Sequence, residues 1–150
     1  MRAVIQRVQR VALTADGEPH GEMEKGILAL VGVHENDDPK VMKYMLDKMV
    51  NLRIFEDENG KMNLSITDLG YRLFLVPNFT LYGDCRHGRR PSYTLGAPVH
   101  IAEGLFNDFA EYAKANAGVE VETGVFQADM KIETVLDGPV TLLLDSAKQF

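Results

Sequence analysis

Cysteine occurs once in this chain, at Cys85, so no internal disulfide can staple the fold and a Cys-x-x-Cys zinc ribbon is excluded. Cys85 sits among Asp84, Arg86 and His87 on a polar stretch that reads as a loop, an incidental position for a thiol. Long apolar runs are missing too. The amino terminus alternates around Arg2 and Arg7, with nothing resembling a signal peptide or a membrane span, and the expectation is a cytoplasmic protein. Positive charge is in deficit. Sixteen Lys and Arg against 22 Asp and Glu leave a net charge of −6, too acidic for a protein that coats long stretches of nucleic acid, though not for one that grips a single RNA end. The familiar hydrolytic signatures are absent: there is no Gly-x-Ser-x-Gly elbow and no His-Glu-x-x-His. His20, His34, His87 and His100 are scattered without ligand spacing, and no metal site is expected.

What is present is a chain of 150 residues, 45% hydrophobic, which fits one domain spanning residues 1–150. Residues 2 to 8 alternate as a strand, and the stretch Leu13 to Asp16 before Gly17 predicts a hairpin at Asp-Gly. The apolar run from Gly26 to Val33 predicts a central strand. Asp37-Asp38-Pro39 opens a helix whose stripe is Val41, Met42, Met45, Leu46, Met49 and Val50; methionines at that spacing are core. Asn59-Gly60 predicts a second hairpin, and its acidic run is a solvated loop. Tyr71 to Val76 is a strand ended by Pro77. A second helix follows Pro98, with its stripe at Ile101, Leu105, Phe106, Phe109, Tyr112 and Ala113, ending near Gly118. Three strands close the chain: Val119 to Glu122, Met130 to Leu136 and Val140 to Asp145. The expected class is α+β, with a largely antiparallel sheet curled around one core and two amphipathic helices.

Two segments carry chemistry. In Val135-Leu136-Asp137-Gly138-Pro139-Val140-Thr141, two apolar stretches meet at a Gly-Pro that presents backbone instead of side chain; alone, it reads as an ordinary turn. No simple turn explains Val76-Pro77-Asn78-Phe79-Thr80-Leu81-Tyr82, which runs on through Gly83, Asp84 and Cys85 into Arg86, His87, Arg89 and Arg90. Amides at Phe79 and Thr80 can point into a pocket, and ester hydrolysis needs little beyond an activated water and donors for the oxyanion. Thr80 as a covalent nucleophile is the alternative, although no partner base is marked.

These segments, with Met1-Arg2-Ala3-Val4-Ile5-Gln6-Arg7-Val8 and Asn51-Leu52-Arg53-Ile54-Phe55-Glu56-Asp57, resemble D-aminoacyl-tRNA deacylase of the bacterial and eukaryotic type, from Met1 to about Ser146. The resemblance implies a barrel-like homodimer that hydrolyses the ester of D-aminoacyl-tRNA with no cofactor, using backbone donors and the RNA's own 2′-hydroxyl. It assigns Phe79 and Thr80 to the chemistry, and Pro77, Asn78 and Ala102 to the substrate pocket. Gly138 and Pro139 become a cis element entering the pocket of the opposite subunit, with Arg7 and Met130 as its supports. Arg86, Arg89 and Arg90 fall to the tRNA acceptor end. Pro77-Asn78 stands where the family usually has Ser-Gln, and Leu136 where its loop begins with asparagine; proline at this position also occurs in related deacylases with a relaxed chiral filter and a trans Gly-Pro. The readings beside strict D-selectivity are therefore such a relaxed deacylase, an enzyme that also takes Gly-tRNA, and a non-catalytic module of the same fold that binds an RNA or DNA end.

Overall fold

The alternation at the amino terminus builds one long strand rather than two short ones. The computed structural model describes residues 1–150. Its elements, in chain order, are β1 (Arg2–Ala15), β2 (Glu18–Met23), β3 (Gly26–Gly32), α1 (Pro39–Asn51), β4 (Phe55–Glu56), β5 (Met62–Leu64), α2 (Ile66–Leu69), β6 (Arg72–Pro77), a 3-10 turn (Phe79–Tyr82), α3 (Val99–Asn116), β7 (Val121–Thr123) and β8 (Met130–Asp145). Asp16 and Gly17 both take positive φ, 51° and 87°, the backbone that a two-residue hairpin between β1 and β2 demands.

β1 is the spine of the fold. It pairs antiparallel with β3 along its first half, with β2 along its second, and with β8 along its whole length. Beyond β3 the sheet turns parallel, through β6 to β7. The sheet is thus largely antiparallel, as expected, with a parallel flank for which α1 and α3 supply the crossovers. The sheet curls until its β2 and β7 ends meet, where His20 Nε2 lies 3.1 Å from the Thr123 carbonyl oxygen. The result is a nearly closed, barrel-like sheet with helices against it.

α1 forms as its sequence indicates: the Asp38 carboxylate accepts from the Val41 amide at 2.9 Å and Pro39 fills the first turn. Met42, Met45, Leu46, Met49 and Val50 are buried, each contributing about 1.5–3 kcal/mol of transfer free energy. Neighbouring Asp37 is buried and paired, accepting from the Met1 ammonium at 2.5 Å and the His34 amide at 2.8 Å. α3 lays Phe106, Phe109, Ala110 and Ala113 on the same core and brings Ala102 to the end of β6.

Two expectations need correction. There are three helices, not two: α2 is a single turn, held by a capping box in which Ser65 and Asp68 bond each other's backbone, and closed by Gly70 at φ 65°. Four residues are too few to show a helical period. The stretches on either side of Gly138-Pro139 are also one strand rather than two. Leu136 stands opposite Val8 and Thr141 opposite Gln6, both on β1, so the chain does not reverse at the Gly-Pro.

Candidate active site

Pro77 ends β6, and the chain turns at once because proline carries no amide to extend the ladder. The Asn78 amide donates to the Val31 carbonyl at 2.7 Å, fixing the exit direction. The Asn78 side chain then caps the 3-10 turn: its Oδ1 accepts from the Thr80 amide at 3.2 Å and from the Thr80 hydroxyl at 2.5 Å. The Phe79 amide, at the first position of the turn, has no carbonyl partner within it. The one phenol in the turn, Tyr82, is buried, and burial together with the Asp37 and Asp145 carboxylates pushes its pKa upward. Tyr82 is therefore a neutral phenol at physiological pH. The Thr80 proton is committed to an amide oxygen, and no base activates that hydroxyl.

The turn borders a cleft of about 460 Å³. Pro77, Phe79 and Ala102 line it, Asn78 and Thr80 do not, and Tyr93, Val99, Phe126 and Gln127, which sequence reasoning missed, complete it. The lining comes from three separate stretches that only the fold gathers. Gln127 gave one structural signal: it holds φ 62° without being glycine. The lining is predominantly apolar and carries no ionised side chain. No three His, Cys, Asp or Glu side chains converge where a metal ion could sit.

The basic loop leaves the turn at Gly83. Asp84 and Ser92 bond each other's backbone at 2.7 and 3.0 Å and close the loop at its base. Within it Arg86 is tied to Asp84 by side-chain bonds of 2.8 and 2.7 Å, which hold the Asp84 carboxyl down at about 2. Arg89 and Arg90 are exposed and make no ion pair. The three arginines are thus unequal, two free and one already neutralised.

Gly138-Pro139 is cis, as expected, and exposed. Asp137, Gly138, Pro139 and Val140 bulge from β8 opposite Arg7 alone. Arg7 is buried; it donates to the Ile54 carbonyl at 2.6 Å and the Asp137 carbonyl at 3.3 Å, and its Nε lies 3.1 Å from the Asp137 carboxylate. These bonds hold the loop where Leu136 supplies none. The bulge and the cleft of the same chain lie apart. Arg7 pairs with Ile27 on β3, and Pro77 with Val31, a step of roughly 13 Å along the strands; β8 and β6 are separated by β1 and β3, roughly 14 Å across. Met130 sits at the far end of β8 from the bulge, with its sulfur against Gly124 beside Pro77, on the cleft's side of the molecule.

Comparison with known proteins gives the arrangement its context. The model of the D-Tyr-tRNA(Tyr) deacylase family matches residues 4–145. The D-aminoacyl-tRNA deacylases of Thermosipho africanus and Clostridioides difficile are 53% and 51% identical over 150 residues, covering all of both chains. Among solved structures, a c-Myc DNA unwinding element binding protein superposes with a TM-score of 0.89 at 36% identity, over 97% of this chain and 98% of that one. A probable eukaryotic D-amino acid tRNA deacylase shares the fold, with a TM-score of 0.79 at 14% identity over 95% and 97% of the two chains. With the family model matched over residues 4–145 and half of all positions shared with its members across the full length, this chain belongs to the D-Tyr-tRNA(Tyr) deacylase family.

Proposed function

We propose that the chain hydrolyses the ester of D-aminoacyl-tRNA at the Phe79-Thr80 turn, acting in the cytoplasm as one domain of residues 1–150. The observation that carries this is a turn whose first amide has no carbonyl partner within it, bordering an apolar cleft that holds no ionised side chain. Water adds to the ester carbonyl carbon, and the Phe79 amide, with Thr80 beside it, receives the charge that develops on the oxygen. As the tetrahedral intermediate collapses, the bond to the ribose oxygen breaks. The water's proton passes by way of the neighbouring ribose hydroxyl to that leaving oxygen, giving free amino acid and tRNA. Pro77, Asn78 and Ala102 shape the pocket; no metal or cofactor takes part.

The selectivity element is Gly138-Pro139 of a second copy in a two-fold dimer, with Arg7 holding that loop and Met130 of the receiving chain meeting it beside Pro77. Two observations support this reading. Within one chain the bulge and the cleft are too far apart to form a single pocket. The outer edge of β8 is unpaired and apolar, with Val135 55% and Leu143 58% exposed, a surface of the kind that a partner covers. Backbone at that position comes close to the substrate's α-carbon and admits a hydrogen where an L side chain would collide. Glycine, with no side chain, passes the same filter.

The test is deacylation of D-Tyr-tRNA, L-Tyr-tRNA and Gly-tRNA, with and without a chelator, alongside the mass of the species in solution. Hydrolysis of the D-ester, insensitive to chelation, by a dimer is expected. Chelator-sensitive turnover or an active monomer would refute the corresponding part, and turnover of L-Tyr-tRNA would make this a chirally relaxed deacylase. A second reading, binding of a nucleic-acid end without turnover, has in its favour the name of the relative at 36% identity and the exposed Arg89 and Arg90. Tight tRNA binding with no hydrolysis would select it.

A further inference from the structure

We propose that Tyr93 is a positioning residue for hydrolysis: its ring clamps the Phe79–Tyr82 turn and so fixes the Phe79 amide, an inference that rests on reading that turn as the site of oxyanion stabilisation. Asn78 caps the turn and Tyr82 anchors its end in the core, but the Phe79 end is less firmly held. The segment is one turn of 3-10 helix, a form with poor hydrogen-bond geometry, and its Leu81 amide reaches the Asn78 carbonyl only at 3.4 Å. The Phe79 ring is 61% exposed and gains little from burial. Its one aromatic neighbour is Tyr93, edge-on with centroids 5.3 Å apart and planes at 71°.

Tyr93 touches the other end of the turn as well. A Cβ built on Gly83, the residue that follows the turn, would stand 3.0 Å from Tyr93 Cε1 and 2.9 Å from the Thr80 carbonyl oxygen. Gly83 is therefore the space in which the ring lies. The Asp84–Ser92 pairing closes the basic loop so that Tyr93 returns beside Gly83. One ring thus contacts Phe79 at the start of the turn and Gly83 at its end, and lines the cleft between them. Tyr93 is itself 44% exposed, so the fold does not depend on it as it does on a core residue.

The experiment is steady-state deacylation of D-Tyr-tRNA and of the minimal ester D-tyrosyl-adenosine by Tyr93→Ala, Tyr93→Phe, Phe79→Ala and the Phe79→Ala/Tyr93→Ala double variant. The expected result is a fall in kcat of about fivefold or more for Tyr93→Ala on both substrates, with KM and Tm little changed. Tyr93→Phe recovers the lost rate, and the double variant is no worse than the more impaired single one. Should Tyr93→Ala fail to fold, Tyr93→Leu, which keeps apolar bulk but removes the ring against Phe79, gives the same loss in kcat. A loss confined to KM for tRNA makes Tyr93 an RNA contact and overturns the positioning role. Wild-type kcat in Tyr93→Ala beside a defect in Phe79→Ala also overturns it while sparing the site. Wild-type kcat in both also overturns the positioning role, and the assignment of the turn itself falls if Asn78→Ala, which uncaps it, keeps wild-type kcat as well.

Discussion

The Thr80 hydroxyl donates to Asn78 Oδ1 at 2.5 Å, and an amide oxygen cannot take its proton. Thr80→Ala is accordingly expected to keep kcat within about threefold of wild type on D-Tyr-tRNA, whereas Asn78→Ala, which uncaps the turn, loses about tenfold. A trapped acyl ester on Thr80, or abolished turnover in a folded Thr80→Ala protein, would restore the nucleophile mechanism.

Gly138 holds φ at 117°, and a Cβ there would lie 2.9 Å from the Val140 amide nitrogen and 3.3 Å from Arg7 Nη2. Gly138→Ala must move the bulge. It is expected to lose at least about tenfold in activity, with a stability cost of roughly 1–3 kcal/mol. Unaltered kcat/KM on both D- and L-esters would detach the loop from the pocket.

Arg7 fills the buried space behind the same loop and bonds the Ile54 and Asp137 carbonyls. Arg7→Met leaves those acceptors and the Asp137 carboxylate without their partner, and a destabilisation of about 3 kcal/mol is expected in chemical denaturation. A variant as stable as wild type would mean that the loop is held from elsewhere.

The pairing of Arg86 with Asp84 divides the basic loop. Arg89→Ala and Arg90→Ala are each expected to weaken tRNA binding and to lower the slope of log K against log salt by about 1, with a smaller effect for Arg86→Ala. Equal salt slopes in all variants would return the loop to a solvated role.

Asp84 offers a pH test. Side-chain bonds from Arg86, and then its backbone amide, lower the carboxyl from an ordinary 3.8 to about 2. Because the folded value is the depressed one, the pair's contribution is complete above about pH 4 and fades as pH falls through 2. Carboxyl titration by NMR is expected to give a midpoint near 2, and in Arg86→Ala a return toward 3.8. A wild-type midpoint at the ordinary value would show the pair open in solution.

The sequence by itself determined the local elements and their caps. Alternation in residues 2 to 8, the Asp38-Pro39 start of α1, the methionine stripe beneath it and the arrest of β6 at Pro77 each follow from interactions within a few residues. The long colinear match also settled the family, because shared positions over a whole chain constrain identity more than any one motif. Of the residues that the resemblance assigns to the site, Pro77, Phe79 and Ala102 line one cleft, while Asn78 and Thr80 are not in its lining.

What only the tertiary structure decided depends on residues far apart in the chain. The parallel neighbours β3, β6 and β7 are set by how α1 and α3 cross over, which no period-two pattern encodes. Gly138-Pro139 reads locally as a turn; it is a bulge because β1 is long enough to pair with both flanks at once. Tyr93, Phe126 and Gln127 reach the cleft through loop closure and strand exit rather than through any motif. Short-range hydrogen bonding and hydrophobic period can be read from neighbours along the chain, whereas a site assembled from separate segments exists only once burial has brought them together.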